Sequence, residues 1–325
     1  MQTGAQSNAT TPATPPITPT PNPREHLYFL YFTLNRRPRS NHEAPQPMTT
    51  AYDWTGRIGD VWAEEWRRTD RSFTNLTPHL NAAILAAATP QTRKIIDIGC
   101  GAGATSLATA PALPNATVTG IDLSPTLIEI ARHRSETQAN ASFECADITV
   151  AAPNHAPTDL YVSRHGVMFF ADPIAAFTIL AEAAAPDAGL VFSCFAERAV
   201  NRWATEIVTA TGGDAHSPTS TTPGPFAFAD PSHVATILEE SGWHAATPQR
   251  IAFSYRAGEG TDPVADAVDY FCRIGPAASA IRDAAPGERE RHIARLTQVC
   301  ERYCDGDTVE FPAAAWIWTA RKSAN

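Results

Sequence analysis

A glycine-rich segment with a carboxylate just before it is the clearest chemical signal in this sequence. Asp97 is followed by Gly99, Gly101 and Gly103, where a strand-like apolar run ends and a helical run begins. Glycine allows a tight turn and a close approach of the backbone to a ligand. The first N–H groups of a helix and its dipole attract an anionic group. The segment therefore predicts a ligand-binding turn.

A second carboxylate follows at a spacing typical of nucleotide-binding turns. Asp122 lies 23 residues after Gly99 and ends the predicted second strand. A carboxylate at that place is positioned to accept hydrogen bonds from both hydroxyl groups of an adenosine ribose. The glycine turn and Asp122 together indicate a cofactor of the adenosine type.

The spacing of the glycines helps to distinguish a dinucleotide cofactor from S-adenosylmethionine. Dinucleotide-binding turns have the pattern G-x-G-x-x-G, whereas this sequence has G-x-G-x-G with Asp97 two positions before the first glycine. A carboxylate there is unfavourable beside a pyrophosphate. It suits a cationic amine, such as the one at the amino-acid end of S-adenosylmethionine. An NAD(P)-dependent oxidoreductase stays open as the alternative.

Alternating strands and helices must position these residues. Three helices are predicted to begin with a capping side chain followed by proline, at Ser124, Asp172 and Asp230, because the cap satisfies a free N–H and proline needs none there. The alternation favours a parallel sheet covered on both faces. Five strands are predicted first, over residues 94–98, 117–121, 142–145, 160–163 and 190–195.

The C-terminal part continues the pattern with an insertion. Residues 250–255 form one further predicted strand, and residues 308–320, interrupted by Pro312, contain another. The stretch between them, residues 262–304, is mostly helical and is predicted to be a lid insertion.

The motifs resemble those of class I S-adenosylmethionine-dependent methyltransferases, in a ubiquinone- and menaquinone-biosynthesis-like branch. The likeness covers about residue 52 to the C-terminus. Residues 54–62 and 223–231 also resemble that branch. The main segments are Asp97–Gly103, Gly120–Ser124, Cys145–Ile148 and Ser163–Pro173.

That resemblance implies an α/β fold: a doubly wound, Rossmann-like, seven-stranded sheet of order 3-2-1-4-5-7-6 with a helical lid insertion. One departure is expected. The link between strands three and four is short and contains Pro153 and Pro157, so the helix usual at that place is predicted to be absent.

The resemblance also implies residue roles around S-adenosylmethionine. The residues implied to contact the cofactor are Tyr52, Trp54, Asp97, Gly99, Cys100, Gly101, Gly103, Asp122, Leu123, Asp147, Ile148 and Arg164. Asp122 would bind the ribose hydroxyls, Asp147 the adenine amino group, and Leu123 and Ile148 would pack on the ring. Tyr52, Trp54 and Trp62 would form an aromatic cover, since an aromatic face attracts a sulfonium.

Structural alternatives stand beside these roles. Asp122 could be a helix cap, Asp147 an ordinary turn residue, and Arg164 an ion-pair residue of the scaffold. His165 is the candidate catalytic residue as a general base, or else a structural histidine. Trp54 and Trp62 could be core anchors. Cys100 is interpreted as a small spacer, because no basic partner that would activate its thiol is evident. No metal site is predicted.

Composition narrows the class of protein. The chain has 325 residues, 43% hydrophobic and 18% charged, with a formal net charge of −9. That balance disfavours nucleic acid as the main partner, since its binders usually carry a basic face. No apolar run approaches the roughly 18 residues that span a bilayer. Six scattered cysteines suggest reduced thiols and a cytoplasmic location. The oligomeric state stays open.

The first 47 residues differ from the rest. They contain nine of the 27 prolines and many threonines, a composition that cannot bury enough apolar surface to fold. Residues 1–47 are predicted to be a disordered Pro/Thr-rich tail, and residues 48–325 a methyltransferase domain that begins at Met48.

These observations predict methyl transfer from S-adenosylmethionine to a small, apolar or aromatic acceptor by in-line displacement. The acceptor would enter between the N-terminal aromatic segment, the loop 223–228 and the helical insertion near Tyr270 and Phe271. The rival hypotheses are the oxidoreductase, a non-catalytic S-adenosylmethionine-binding protein and, less favoured because the chain is acidic, methylation of a protein.

Overall fold

We describe the protein from a computed structural model. It describes Met1, residues 54–215 and residues 221–322. Tyr52 and the predicted tail beyond Met1 lie outside the described residues, so the boundary at Met48 stays a prediction.

One sheet organises the described residues, with the strand order β3-β2-β1-β4-β5-β8-β6 and β7 paired to β8. The strands from β3 to β5 are parallel, and β8 lies antiparallel between β5 and β6. The predicted fold class and order are confirmed, with the last predicted strand numbered β8 because a two-residue strand precedes it. The strands are Lys94–Ile98 (β1), Thr117–Asp122 (β2), Ala141–Cys145 (β3), Thr158–Arg164 (β4), Ala184–Phe195 (β5), Trp243–Glu259 (β6), Cys304–Asp305 (β7) and Thr308–Lys322 (β8).

Twelve α-helices connect and cover these strands in the described part of the chain. Those that start at Ser124, Asp172 and Asp230 have the predicted side-chain caps. The helices are Arg57–Glu64 (α1), Trp66–Ser72 (α2), Thr77–Ala87 (α3), Ala104–Ala112 (α4), Pro125–Arg134 (α5), Ile148–Ala151 (α6), Pro173–Ala183 (α7), Arg202–Ala210 (α8), Pro231–Glu240 (α9), Pro263–Arg273 (α10), Ala278–Asp283 (α11) and Pro286–Arg302 (α12).

The central strands form because their apolar runs are buried on both faces. Ile95, Ile96 and Ile98 in β1 are at most 1% exposed, as a parallel strand between two helical layers requires. Asp97 lies within that run, pairs in register with Gly120 and Val162, and is completely buried. The core thus places a carboxylate near the carboxyl edge of the sheet, where open α/β sheets bind their ligands.

Pro312 does not interrupt its strand, and the prediction of a break there was wrong. β8 runs from Thr308 to Lys322, with Pro312 opposite Ser254 of β6. The pairing of β5 with β8 ends at the pair Phe195 and Ala315, so β8 has a partner on one side only at Pro312. Proline is tolerated there, because its missing N–H faces no neighbouring strand.

The link between β3 and β4 is also more ordered than predicted. It contains the four-residue helix α6 and a 3-10 turn at Ala152–His155. The helix expected to be absent is therefore shortened instead, because Asp147 caps its start and Pro153 allows only a turn beyond it.

Ion pairs join helix α2 to the first helix of the segment 262–304. Arg68 contacts Asp266 at 2.8 Å and Asp269 at 2.6 Å, and Arg71 contacts Asp266 at 2.6 Å. Ser72 lies 3.3 Å from the hydroxyl of Tyr270. The segment contains α10, α11 and α12; its role as a lid stays a prediction. Among the described residues, none of the helices is long and apolar enough to cross a bilayer.

Candidate active site

The glycine turn between β1 and α4 leaves room for a ligand at one position. Gly99, Gly101 and Gly103 all have positive φ, of 61°, 53° and 83°. A Cβ on Gly103 would lie 2.7 Å from the ring of Phe143, whereas a Cβ on Gly101 would meet no atom within 4 Å. Gly103 is therefore required for packing, and Gly101 borders open space.

Asp122 lies at the end of β2 and faces that turn. One of its carboxylate oxygens accepts a 2.8 Å hydrogen bond from the N–H of Gly101, and the other accepts a 2.9 Å bond from the N–H of Ser124. Burial raises the pKa of Asp122, and these N–H donors oppose the shift. Each oxygen accepts one of these bonds and retains a second lone pair for a ligand. The turn and the carboxylate are thus brought together.

Asp97 is a buried carboxylate with one oxygen unpaired in the described structure. Its Oδ2 accepts a 2.7 Å hydrogen bond from Ser106, while Oδ1 is buried and has no hydrogen-bond partner. Burial raises the pKa of Asp97 from 3.8 to about 7, although Ser106 and Arg164 oppose the shift. A buried unpaired acceptor is costly, and a cationic amine beside Oδ1 would relieve that cost.

The raised pKa of Asp97 gives a testable pH dependence. The folded protein holds this proton more tightly than the unfolded chain, so the stability it contributes is complete below pH 3.8 and is lost as the pH rises through about 7. Between those values the free energy of unfolding should fall by up to about 1.4 kcal/mol per pH unit. Urea unfolding of the ligand-free protein and of Asp97→Asn measures this.

The difference between the two proteins isolates Asp97, because all other titrating groups are shared. We expect that difference to change between pH 5 and pH 7 and to level off above pH 8. A difference that stays constant over the whole range would contradict the raised pKa.

The residues implied to surround adenine lie beyond the ends of β2 and β3. Asp147 caps α6, and its Oδ1 accepts hydrogen bonds from the N–H and the hydroxyl of Thr149 at 2.8 and 2.7 Å. Ile148 is buried and Leu123 is half-buried. The turn interpretation of Asp147 thus has direct support, and its second oxygen remains the atom for the predicted adenine contact.

Arg164, the last residue of β4, is paired with a carboxylate from helix α2. Its Nη2 lies 2.6 Å from Oδ1 of Asp70, and Oδ2 of Asp70 lies 3.1 Å from Arg134. The guanidinium of Arg164 also lies over the ring of Phe73, at 5.2 Å. The ion-pair alternative for Arg164 is therefore realised, and the same side chain still lies close enough to Asp97 to influence its pKa.

His165 is buried and anchored to β5. Its Nδ1 lies 2.9 Å from the hydroxyl of Ser193, and its Nε2 is buried and has no hydrogen-bond partner among the described residues. Burial, and then Arg164, hold the pKa of His165 well below 6.5, so the ring is neutral at pH 7. Its φ of 59° is the left-handed conformation, which is uncommon for residues other than glycine.

The tryptophans implied to cover the site form a cluster with a residue that follows β4. The ring of Trp54 lies 5.8 Å from that of Trp62 and 5.1 Å from that of Phe169. The side chain of Cys100 belongs to a buried cluster with Phe143, its thiol donates to the carbonyl oxygen of Gly101 at 3.6 Å, and burial raises the pKa of the thiol. The contact of Cys100 with the cofactor stays a prediction.

Two residues of this region have no signal in the sequence. Asp70 lies 94 positions from Arg164, and Ser106 meets Asp97 only because α4 folds back over β1. A serine in the first turn of the helix after a glycine loop is at most a weak sequence signal for a partner of Asp97. One acidic residue in a helix rich in charged residues gives no signal for a partner of Arg164. Among the described residues, no group of three or more His, Cys, Asp or Glu side chains is placed to hold a metal ion.

The fold and this edge of the sheet are those expected of a class I methyltransferase domain, and comparison with known proteins agrees. Residues 95–187 match the family model described as a methyltransferase domain. The chain therefore contains such a domain, and the class recognised from the motifs is confirmed.

The named relatives are similar to part of the chain. A malonyl-[acyl-carrier protein] O-methyltransferase of Acetivibrio thermocellus is 35% identical over 101 residues, 31% of this chain and 35% of that protein. A ubiquinone biosynthesis O-methyltransferase of Coxiella burnetii is 32% identical over 82 residues, 25% of this chain and 34% of that protein. The chain thus spans about a third of the length of these curated relatives.

Solved structures are similar at low sequence identity. The YcgJ protein from Bacillus subtilis has 15% identity and a TM-score of 0.47, over 76% of this chain and 99% of that chain. A phosphoethanolamine N-methyltransferase 2 of Haemonchus contortus, solved with S-adenosyl-L-methionine, has 14% identity and a TM-score of 0.48, over 86% of this chain and 61% of that one.

Proposed function

We propose that the protein transfers a methyl group from S-adenosylmethionine to a small, apolar or aromatic acceptor. The observation that carries the proposal is the unpaired Oδ1 of buried Asp97, one strand away from the carboxylate of Asp122. Two carboxylates on neighbouring strands, with open space at Gly101, fit a nucleoside with a cationic amino-acid end better than a pyrophosphate.

The residues present fit this cofactor. Asp122 would accept the ribose hydroxyls with lone pairs that Gly101 and Ser124 leave available. Asp97 would lose its proton and pair with the amine. When bound, S-adenosylmethionine supplies a methyl group on an already electrophilic sulfonium. The chain therefore needs mainly to hold donor and acceptor in line and to exclude water.

A cluster of aromatic rings lies beyond the end of β5 and supports the predicted acceptor class. Phe195 lies 4.3 Å from the ring of His165 and 4.9 Å from that of Trp203. Trp203 stacks on Tyr255 at 4.9 Å, with 16° between the planes. The Nε1 of Trp203 is buried and, like Nε2 of His165, has no hydrogen-bond partner in the described structure. Flat apolar rings beside two unpaired nitrogen atoms favour an aromatic acceptor that carries an oxygen, provided that the rings separate to admit it.

His165 is the residue of this cluster that could assist the reaction. With its proton on Nδ1, which bonds to Ser193, the neutral ring presents a lone pair at Nε2 to an acceptor hydroxyl. The lowered pKa makes it a weak base, so it would orient the hydroxyl and take the proton only as the new bond forms. A phenol or quinol needs no stronger base, because its hydroxyl becomes more acidic while the methyl group is transferred to the oxygen.

Replacing His165 with asparagine tests that role. Asparagine tolerates the φ of 59° and can keep the bond to Ser193, but it lacks a group at the place of Nε2. We expect kcat to fall roughly 10²-fold, the scale of general-base catalysis, with unchanged affinity for S-adenosylhomocysteine. Single-turnover assays and calorimetric titration measure the two quantities. A variant that retains full kcat would leave His165 a structural residue.

The decisive experiment for the function is a methyl-transfer assay with labelled cofactor against a panel of acceptors. Quinols, phenols and small polar amines are compared at equal concentration, with NAD(P) binding measured in parallel. Label on quinols or phenols, and none on amines, supports the proposal. Label only on amines would contradict the proposed acceptor class. Tight NAD(P) binding without S-adenosylhomocysteine binding would contradict the proposed cofactor. Cofactor binding without any transfer would indicate a non-catalytic binding protein.

A further inference from the structure

Asp70 on helix α2 pairs with two arginines that come from different elements near the glycine turn, β4 and α5. Its Oδ1 lies 2.6 Å from Arg164, which ends β4, and its Oδ2 lies 3.1 Å from Arg134, which ends α5. Arg134 in turn donates a 2.6 Å hydrogen bond to the carbonyl of Ala102, inside the glycine turn. One carboxylate therefore connects the strand-four tip with the turn that borders Gly101.

The ion pairs of Asp70 are partly shielded from solvent and rest against aromatic rings. The three side chains are only 14–22% exposed, so their charges are less screened than at the surface. The guanidinium of Arg134 lies over the ring of Trp66, at 4.1 Å, and that of Arg164 lies over the ring of Phe73, at 5.2 Å. Both guanidinium groups are thus held by a carboxylate and an aromatic face from the same short region of the chain, residues 66–73.

The charges at this place are complementary to an amino-acid group. Asp70 neutralises one of the two arginines, which leaves one positive charge at the tip of β4. Asp97 pairs in register with Val162, two residues before Arg164 on the neighbouring strand, and its Oδ1 has no hydrogen-bond partner among the described residues. A positive group and an unpaired carboxylate oxygen on adjacent strands match the carboxylate and the ammonium of a free amino acid.

We propose that Asp70 is a positioning residue that sets Arg164, with Arg134 holding the turn, to bind the carboxylate of the amino-acid end of the cofactor. This inference rests on the proposed function and adds a residue, and an interaction, that the motifs do not contain. Asp70 touches no ligand atom itself. It acts by fixing the guanidinium of Arg164, since a pre-oriented side chain loses less entropy when it binds.

The test separates the amino-acid end of the ligand from its nucleoside. S-adenosylhomocysteine has the amino-acid group, whereas 5′-methylthioadenosine lacks it and keeps the adenosine and the sulfur. For Asp70→Asn, calorimetric titration should show at least tenfold weaker binding of S-adenosylhomocysteine and less than a twofold change for methylthioadenosine. Asp70→Glu, which retains the charge, should recover part of the loss.

A matched control and a second variant keep the test interpretable. Asp269→Asn removes a carboxylate from another arginine of helix α2, Arg68, at 2.6 Å, and should change neither affinity. Arg164→Gln should reproduce the selective loss. The double variant with Asp70→Asn should then bind no more weakly than Arg164→Gln alone, because both changes remove the same interaction.

Other outcomes overturn the inference in distinguishable ways. Equal weakening of both ligands by Asp70→Asn would mean that Asp70 merely supports the fold. An unchanged affinity for S-adenosylhomocysteine would mean that the pairing with Arg164 has no part in binding. If the wild-type protein binds neither ligand, the proposed function fails together with this inference, whereas the first two outcomes leave that function intact.

Discussion

Replacing Asp122 with alanine is expected to weaken the binding of S-adenosylhomocysteine at least 100-fold. Hydrogen bonds to a charged group contribute roughly 1.5–3 kcal/mol each, and both ribose hydroxyls would lose their acceptor. The turn would loosen as well, because the N–H groups of Gly101 and Ser124 lose their bonds to the carboxylate. Calorimetric titration of both proteins measures the effect.

The control for this prediction must lose a similar carboxylate elsewhere. Asp172 caps α7, where its Oδ1 accepts a 3.0 Å bond from the N–H of Ala175. Asp172→Ala should lower the stability by about 1 kcal/mol, as for other caps, and leave the affinity unchanged. If Asp122→Ala binds within threefold of the wild type, Asp122 only holds the N–H groups of Gly101 and Ser124 and the ribose contact is excluded.

A methyl group added at Gly101 should strongly weaken cofactor binding without unfolding the protein. A Cβ there meets no protein atom within 4 Å, so it would project into the space assigned to the ligand. The backbone cost is about 1–2 kcal/mol, because φ is positive. We expect Gly101→Ala to remain folded in thermal unfolding and to bind S-adenosylhomocysteine at least 30-fold more weakly.

Gly306 provides an unusually close control for that variant. It lies in the turn between β7 and β8, has a φ of 60° and likewise has no atom within 4 Å of an added Cβ. Gly306→Ala should therefore carry the same backbone cost and leave binding intact. Equal affinities for the two variants would show that the open space at Gly101 does not receive the ligand.

The positions of the strands were predictable because each element is specified locally, whereas their order followed from the resemblance of the motifs. The run from Lys94 to Ile98 places isoleucine on both faces, which is typical of an interior strand. Serine or aspartate before proline specified three helix starts, since both the cap and the fixed φ of proline act within a few residues. The prediction of a break at Pro312 was wrong for the opposite reason. Whether a proline breaks a strand depends on which neighbouring strands flank it, and those strands are distant in the sequence.

The residues of the candidate site likewise fall into those that local sequence patterns predict and those that only distant contacts bring together. Asp97, Gly101 and Asp122 are visible because they lie at fixed positions relative to strand ends, and parallel strands bring those ends to one edge. The pairing of Asp70 with Arg164 is not visible, since it joins segments 94 residues apart. The burial that raises the pKa of Asp97 and lowers that of His165 likewise comes from surrounding elements.

By itself, the sequence determined where the strands and helices lie and where the glycine turn falls, because spacing and patterning act over short distances; the class of domain and the order of the strands followed from the resemblance of the motifs. Only the tertiary structure decided the pKa shifts of the buried groups, the cluster of aromatic rings beside His165 and the carboxylate that pairs with Arg164. Those properties depend on solvent exclusion and on contacts between distant segments, and neither exists before the chain has folded.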